Sequence, residues 1–427
     1  MTRTLSIIPV VLMLAVSTFA QDAIVPRFFI EKIEVREASR VGIGVIVAES
    51  RLREGQEYSE AELSDAAARL SRLPFLLSAE FSLERGSERG RHVLVITVTE
   101  TKPFFYLLDF VPVISTDPGP DSQNVDIVGN DRGGIGQNEG VIGARWFVGR
   151  RGAFHSGLFS REDQHEFTRD YGAAVIGYTQ YDIFGTRAFA TLNLKHPILN
   201  AGDPTFSPQL VIGIPLSPNQ TLTLSYDETR FGTEEVTFFN AAPIERQDGD
   251  RIVSARVTYN TTNHPFLPTH GTLLSVTPLV AWRDGSSYRV TGFPGPDFEV
   301  TPVAFHERSI GIALDAARYF ELSEQNSTWL RAEGGWGRVH ERDSIDRDLH
   351  RDDRYGILQA GFSHSLWTRE QQKRGDSRFE LSARYTTRTT GLGPASFSNE
   401  ENRFQLAFAW VRRSSFGTVR LGVGHAW

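Results

Sequence analysis

The sequence predicts a mainly β protein in which a small α+β domain is followed by a closed antiparallel transmembrane β-barrel. Three observations support this fold class: an apolar segment at the amino terminus, a mixed strand and helix pattern over residues 28–100, and a period-two alternation from residue 104 onward. After residue 20 there is no apolar run of about 18 residues, which a membrane helix would need. Barrel strands need no such run, because they alternate apolar and polar side chains.

Composition excludes several classes of function. The chain has 427 residues, a net charge of -7 and no cysteine. The absence of cysteine excludes disulfides and thiol catalysis, and the acidic balance argues against a nucleic-acid-binding protein, which would carry a basic patch. The sequence has neither a His-Glu-x-x-His nor a Gly-x-Ser-x-Gly motif, and its histidines are scattered. We therefore expect no enzyme activity, no cofactor and no metal site.

Residues 1–20 have the pattern of a secretory signal peptide. Arg3 precedes the apolar run "LSIIPVVLMLAV", small residues lead up to Ala20, and the polar "QDA" follows. The apolar core is too short to span a bilayer, which leaves an amino-terminal anchor helix as the weaker alternative. We expect the mature chain to begin near Gln21.

Residues 21–102 are expected to form one small domain in the order strand, helix, helix, strand, strand. Ser59 and Glu62 have the spacing of a capping box at the start of the second helix. The predicted elements are a strand at 28–35, helices at 44–52 and 59–73, and strands at 79–86 and 92–100.

Residues 103–427 are expected to form the barrel. In "SRFELSARYTTRT" (377–389), Phe379 and Leu381 alternate with Arg378 and Glu380, and similar segments recur between turn-rich breaks. We count about 15 such segments; since an antiparallel barrel closes with an even number, about 16 strands are expected, or 14 if two segments are loops. A soluble β-sandwich is the alternative, but it would not usually place charges on one face and aromatics on the other in so many strands.

The last predicted strand ends on an alternating apolar series formed by Val419, Leu421, Val423 and Trp427. In a barrel, the Trp427 ring is expected in the aromatic girdle at the periplasmic interface, where lipid buries it. Such a strand resembles the carboxyl-terminal signal that bacterial outer-membrane barrels present to their assembly machinery.

Several stretches of the small domain resemble a POTRA domain, the polypeptide-transport-associated module. They are "IEKIEV", "LREGQEYSEAEL", "RLSRLPFLLSAEFSLE" and "VLVITVTETKP". A single POTRA-like module followed by a barrel resembles the BamA/TamA superfamily of outer-membrane assembly factors, in which a carboxyl-terminal surface-antigen barrel follows the POTRA module. The stretch "YNTTNHPFLPTHGTLLSV" (259–276) is similar to this family's mid-barrel Asn-Pro-x-x-Pro-Thr-x-Gly segment. Pro265, Pro268 and Gly271 predict a rigid turn there, on the periplasmic side.

One departure from the family concerns its long inward loop, which normally carries an Arg-Gly-aromatic tip. The corresponding segment, "HERDSIDRDLHRDDR" (340–354), has no such tip. It reads either as a solvated loop or as a lumen plug whose arginines pair with carboxylates of the barrel wall such as Glu333 and Glu380. The plug candidates are Arg342, Arg347, Arg351 and Arg354.

The resemblance implies a bacterial outer-membrane barrel, with its POTRA-like domain in the periplasm, that assists insertion, assembly or translocation of polypeptides. Its partners would be the lipid bilayer and unfolded outer-membrane or secreted polypeptides, bound at a sheet edge offered by the strands around Phe28–Val35, Phe81–Glu84 and Val93–Glu100. No nucleic acid is expected. A passive channel or surface-binding barrel without insertase activity is the alternative, and the missing loop tip favours it.

Overall fold

The computed structural model describes residues 26–426 apart from several internal gaps. Residues 1–25, which include the predicted signal peptide, and Trp427 lie outside the described residues. The gaps are 72, 74, 111–112, 116–134, 137–140, 150, 162–170, 184–187, 198–205, 231–233, 237–243, 247, 265–266, 292–298, 344–347, 373–374 and 393–396.

The amino-terminal domain is a four-stranded sheet with two helices. Its elements are β1 (Arg27–Arg36), α1 (Ile43–Ser50), β2 (Gln56–Ser59), α2 (Glu60–Ser71), β3 (Leu76–Arg85) and β4 (Arg91–Glu100). The sheet order is β2-β1-β4-β3, and only the β1–β4 pair is parallel. All the predicted elements of this domain are present, and the short strand β2 is an addition that the sequence pattern did not reveal.

Local sequence explains the start of α2. The Glu62 carboxylate accepts a hydrogen bond from the Ser59 backbone N–H at 2.7 Å, and the Ser59 hydroxyl accepts one from the Glu62 N–H at 3.3 Å. This reciprocal pair is the predicted capping box. The helix then buries Leu63, Ala66 and Leu70 against the sheet.

The barrel strands follow directly. They are β5 (Phe104–Phe110), β6 (Val113–Ser115), β7 (Ile135–Gly136), β8 (Val141–Val148), β9 (Gly152–Arg161), β10 (Tyr171–Ile183), β11 (Ala188–Pro197), β12 (Ser207–Pro215), β13 (Gln220–Arg230), β16 (Asp248–Asn260), β17 (Gly271–Thr291), β18 (Glu299–Glu321), β19 (Asn326–Asp343), β20 (Asp348–Ser365), β21 (Gly375–Leu392), β22 (Phe397–Ser414) and β23 (Gly417–Ala426). The short strands β14 (Glu234–Val236) and β15 (Ile244–Arg246) form a separate hairpin, and α3 (Arg369–Gln372) lies between β20 and β21.

The sheet closes into a barrel of 15 strands over the described residues, when the interrupted pairs β5/β6 and β7/β8 each count as one strand. The prediction of about 16 strands, or 14, was therefore wrong. It assumed that every neighbouring pair is antiparallel, which requires an even number. Here the first and last strands, β5 and β23, pair in parallel, and this pairing is what an odd number of otherwise antiparallel strands requires.

The two faces of the barrel wall carry different side chains, as the alternation predicts. On β21 the outward side chains Phe379 and Leu381 are exposed, whereas Arg378, which directly precedes Phe379, is buried on the inner face. Large exposed apolar residues recur on the same outward face of β11 to β13 and β16 to β23. A continuous apolar outer surface is unfavourable in water and is the surface that a transmembrane barrel presents to lipid.

Among the described residues, no helix is long and apolar enough to cross a membrane.

The amino-terminal domain packs against one end of the barrel, which we call the domain end; the opposite end is the far end. Phe75 contacts the rings of Phe147 and Tyr181 edge-on, with centroids 6.4 and 6.1 Å away. Phe147 and Ala153 of the barrel belong to the same buried apolar cluster as Ile30 and Leu94 of the domain. The connections β8–β9, β16–β17, β20–β21 and β22–β23 all lie at the domain end.

Candidate functional site

The junction of the first and last barrel strands, which we call the seam, is a short parallel pairing. Gly417 to Leu421 of β23 lie opposite Tyr106 to Phe110 of β5, and Gly424 to Ala426 lie opposite β6. By contrast, β21 and β22 are paired along their whole length, from Gly375 to Leu392. The seam has five register pairs to β5 and three to β6, as many in total as the adjacent junction of β5/β6 with β7/β8. Parallel pairing is slightly less stable per residue than antiparallel pairing, so the seam is weaker than an antiparallel junction of the same length.

Glycine is required where the seam begins. A Cβ at position 417 would collide with the carbonyl oxygen and ring of Tyr106. The same corner is fixed by backbone hydrogen bonds from Lys102 N–H to the Ser415 carbonyl at 2.7 Å and from Tyr106 N–H to the Phe416 carbonyl at 2.9 Å. The strand after the amino-terminal domain is therefore anchored to the last turn of the barrel.

An ion-pair network lies on the inner side of the seam. The Arg420 guanidinium on β23 lies 3.9 Å from the Asp109 carboxylate on β5 and 3.3 Å from the Glu380 carboxylate on β21. Arg420 and Asp109 are directly opposite each other in the pairing register. One side chain thus bridges the first strand, the last strand and a strand further round the wall.

The described residues of the connection between β16 and β17, 261–264 and 267–270, lie at the domain end of the lumen; we call them the lumen turn. The Asn263 side-chain oxygen accepts hydrogen bonds from the N–H groups of Thr269 at 3.0 Å and His270 at 3.3 Å, and the Leu267 N–H donates to His264 Nδ1 at 3.0 Å. Gly271 has φ +108°, and a Cβ there would collide with the Thr261 carbonyl. These local bonds hold the turn in a compact shape.

Between the lumen turn and the seam lies a cavity of about 290 Å³. It brings together Leu267 and Pro268 of the turn, Asp109 of β5, and charged groups of the wall. The charged wall residues are Arg331, Arg378, Glu380 and Arg420. Arg331 is held by Asp315 at 3.0 Å and Glu333 at 2.9 Å, and Arg378 is paired with Asp376. The turn therefore reaches across the lumen to strands on the other side of the barrel.

The amino-terminal domain presents the free edge of its sheet beside this site. Strand β3 is the last strand of the sheet order, so its outer edge has no strand partner among the described residues. Its first residues lie at the barrel rim, where the Leu77 carbonyl accepts a hydrogen bond from the Arg413 guanidinium of β22. The sheet edge predicted for client binding included three strands, which are β1, β3 and β4 in the structure. Of these, β1 and β4 are interior strands of the sheet, and only β3 is an outer strand.

The predicted turn residues therefore belong to this site in part. Pro268 lines the cavity and Gly271 begins β17 at the domain end, whereas Pro265 lies outside the described residues. The sequence identified the turn and its glycine. It did not reveal that the turn enters the lumen.

The predicted lumen plug is not formed by residues 340–354. This segment is largely a hairpin, because β19 continues to Asp343 and β20 begins at Asp348, and the two strands are paired from Arg342–Asp348 onward. Arg342 and Arg354 are exposed on the outer face, Arg351 faces inward and pairs with Asp353 at 3.0 Å, and Arg347 lies outside the described residues. The paired strands over residues 340–343 and 348–354 were not predicted, because near the far end they carry polar residues on both faces, which removes the alternation.

The predicted terminal signal lies on β23. Leu421 and Val423 are exposed on the outer face, and Val419 has the same parity. The strand runs away from the domain end, and Ala426 is paired with Gln405 near the middle of β22. Trp427, whose ring is predicted to lie in the aromatic girdle at the periplasmic interface, is outside the described residues. The role of the series as an assembly signal stays a prediction.

The sequence did not predict a series of hydrogen-bonded polar side chains inside the barrel, which we call the polar ladder. His155 lies 2.6 Å from the Asn193 oxygen, Asn193 donates to Gln209 at 2.6 Å, and Gln209 donates to Asp227 at 2.5 Å. Asp227 also pairs with the buried Lys195. The inward parity of these residues on β9 and β11 to β13 was the available signal, but register between strands cannot be read from a single sequence.

Glycine at position 177 allows this ladder to cross β10. A Cβ there would collide with the Asn193 oxygen and with His155 Nε2. The two side chains belong to β9 and β11, on either side of β10. The ladder therefore ties four strands together on the lumen side.

Comparison with solved structures finds other barrels. The chain is similar to BamA from Haemophilus ducreyi lacking POTRA domains 1-3, with 11% identity, a TM-score of 0.40, and coverage of 94% of this chain and 85% of that one. It is also similar to outer-membrane expressed OmpT of Vibrio cholerae, with 11% identity, a TM-score of 0.30, and coverage of 60% and 81%. No family model and no curated protein matches the sequence. At these values the likenesses identify no family for the chain.

Proposed function

We propose that this chain is a bacterial outer-membrane β-barrel protein that assists insertion, assembly or translocation of other polypeptides. In this proposal residues 1–20 are a signal peptide, residues 21–102 form a POTRA-like domain in the periplasm, and residues 103–427 form the barrel. The apolar outer surface supports the membrane location, because only lipid would solvate it.

The observation that carries the proposal is the position of a free sheet edge beside the seam. An extended client segment adds to an open edge through backbone hydrogen bonds, with little demand on its side chains. Strand β3 has such an edge, and its first residues lie at the rim near Arg413 of β22. A client strand held there would be delivered to the junction of the wall that is easiest to open.

The seam supports the next step. Its parallel pairing and its glycines make it weaker per residue than an antiparallel junction, and partial opening would expose the unpaired edges of β5 and β23 to a client strand. Exposed strand edges bind other strands readily. No covalent bond forms or breaks in this process, so the role requires no catalytic residue and no cofactor.

A passive channel or surface-binding barrel is the second candidate. The described residues 340–343 and 348–354 favour it, since they form a paired hairpin instead of the family's inward loop. The lumen turn argues against an open pore, because Leu267 and Pro268 stand in the lumen at the domain end.

Depletion of the protein in its host separates the two candidates. If the chain assists assembly, the amounts of several other barrel proteins in the outer membrane will fall, and re-expression of the intact chain will restore them. If all other barrel proteins stay at normal levels while only permeability changes, the assembly role is refuted.

A further inference from the structure

Three arginines lie on adjacent strands of the outer wall towards the far end. Arg308 on β18 is opposite His340 of β19, and Arg338 is two residues closer to the domain end on the same face of β19. Arg338 is in turn opposite Asp352 of β20, with Arg354 two residues further along. The three form an oblique line with one arginine per strand. Strand and residue spacings put neighbours about 8 Å apart.

This line runs along the boundary of the apolar band. Trp282 is directly opposite Arg308 and Trp336 directly opposite Arg354, and both indoles are exposed on the outer face. The Arg338 guanidinium carbon is 5.8 Å from the centroid of the Trp336 ring. Towards the domain end the same face continues with the exposed Ile310 and Leu358. Tryptophans at such a boundary mark the interface between hydrocarbon and headgroups.

The patch is positively charged. On the outer face of β16 to β20, the described side chains near this boundary comprise five arginines, Arg251, Arg308, Arg338, Arg342 and Arg354, against two carboxylates, Asp284 and Asp352. The Asp352 carboxylate forms an ion pair with Arg338 at 3.0 Å. Asp284 lies 2.8 Å from His306 and 3.7 Å from Arg251, and Arg251 also lies 3.8 Å from the Glu228 carboxylate of the adjoining strand β13.

Arg308 and Arg354 make no ion pair or side-chain hydrogen bond with any other described residue, although each lies at the level of the headgroups. By the same spacings, Arg308 and Arg354 are about 16 Å apart. A guanidinium group binds a phosphate through paired N–H donors, so each of the two can bind a separate lipid phosphate.

We propose that this patch binds the phosphate groups of anionic lipid headgroups, with Arg308 and Arg354 as the principal ligands and Trp282 and Trp336 packed against the upper acyl chains. The occupant is a lipid because the basic line borders the lipid-facing band without a break. The inference rests on the membrane location proposed above, but it is independent of any role in handling polypeptides.

The test uses the full chain in neutral maltoside micelles, with native mass spectrometry as the measure of lipid binding. Phosphatidic acid is the probe; diacylglycerol, which lacks the phosphate, and inorganic phosphate alone are the comparison ligands. The variant is R308Q/R354Q. The matched control is R412Q, since Arg412 is exposed on the outer face of β22 but at the domain end. A second variant, R308K/R354K, keeps the charge.

We expect phosphatidic acid to bind the wild type and R412Q equally, and to bind R308Q/R354Q about tenfold more weakly, with R308K/R354K in between. Circular dichroism establishes that each variant is folded. Undiminished binding to a folded R308Q/R354Q, or equal binding of diacylglycerol, overturns the proposal. Competition by inorganic phosphate at the same concentration as the lipid would assign the patch to free phosphate and overturn the lipid assignment. Normal client assembly by R308Q/R354Q leaves this test unaffected, so the two proposals fail separately.

Discussion

At the scale of single residues, Arg420 of β23 links the two strands that close the barrel. Its guanidinium joins Asp109 of the first strand to Glu380 of β21, and the Glu380 side chain is only 19% exposed. A carboxylate in such a position is costly without a cationic partner, so the network stabilises the seam mainly by preventing an unpaired charge.

Replacement of Arg420 tests this network. We expect R420Q to lower the free energy of unfolding by about 2 kcal/mol, because the ion pair is lost and the partly buried Glu380 carboxylate is left without this cationic partner. Reversible urea unfolding in detergent measures the change.

The matched control is R384Q. Arg384 has inward parity on the same strand as Glu380, but unlike Arg420 its guanidinium forms no ion pair with any described residue. We expect a smaller loss there, and a partial recovery in E380Q/R420Q. If R420Q is no more destabilising than R384Q, the ion-pair network does not stabilise the seam.

Glu100 gives the amino-terminal domain a pH dependence. Partial burial raises the pKa of this carboxyl, but hydrogen bonds from the backbone N–H groups of Val41 and Arg40 and from Ser39 lower it by more, so the pKa lies below its ordinary value of 4.5. The stabilisation is complete above pH 4.5 and is lost as the pH falls through the lowered value. Hydrogen-exchange protection factors of residues 39–41 in the full chain should therefore decrease on acidification.

E100Q should remove most of this decrease, because glutamine does not titrate. Glu88, whose side chain is 67% exposed and pairs with Arg91, provides the control variant E88Q. A wild-type pH profile in E100Q would show that another group is responsible.

At the scale of elements, the lumen turn determines whether the barrel is open. It is held together by Asn263 and His264, and it places Leu267 and Pro268 against the cavity. We infer that the described residues of this turn, 261–264 and 267–270, act as a cap at the domain end. The charged hairpin at 340–354 does not share this role.

Replacement of residues 263–269 by a shorter Gly-Ser linker should open the lumen. We expect the single-channel conductance in planar bilayers to rise several-fold, since the cap is removed while the wall strands keep their pairing. A control linker of the same composition at 344–347, between β19 and β20, should leave the conductance nearly unchanged. Equal conductance of the turn variant and the wild type would mean that the turn does not occlude the lumen.

The sequence predicted elements where a local rule applies. The capping box at Ser59 and the alternation at Phe379 and Leu381 depend on neighbours in the chain, and both are present. The hairpin over residues 340–343 and 348–354 was not predicted, because near the far end its strands carry polar residues on both faces and the alternation is lost. The entry of the lumen turn and the ladder from His155 to Asp227 depend on which strands meet across the barrel, and a single sequence does not contain that information.

At the scale of the whole molecule, the two strands that close the barrel, β5 and β23, lie next to the strands on which the amino-terminal domain packs. The strand number is 15 over the described residues, and an odd number requires the parallel seam between β5 and β23. The amino-terminal domain packs beside this seam through Phe75 and through the Arg413 contact to Leu77. The sequence could not predict whether the number of strands is odd or even, because this number depends on which of the weakly alternating segments become barrel strands.

The most direct test of the proposed function is to lock the seam. The chain contains no cysteine, so a disulfide between L108C and V419C, which lie opposite each other in the register, can be introduced without side reactions. The control pair is L358C and Y385C between β20 and β21, away from the seam.

The measurement is the folding rate of an unfolded outer-membrane barrel protein into liposomes that contain each variant. We expect the oxidised seam variant to lose the acceleration seen with the wild type, reduction to restore it, and the control pair to be active in both states. An oxidised seam variant that accelerates folding as well as its reduced form would show that opening of the seam is not required.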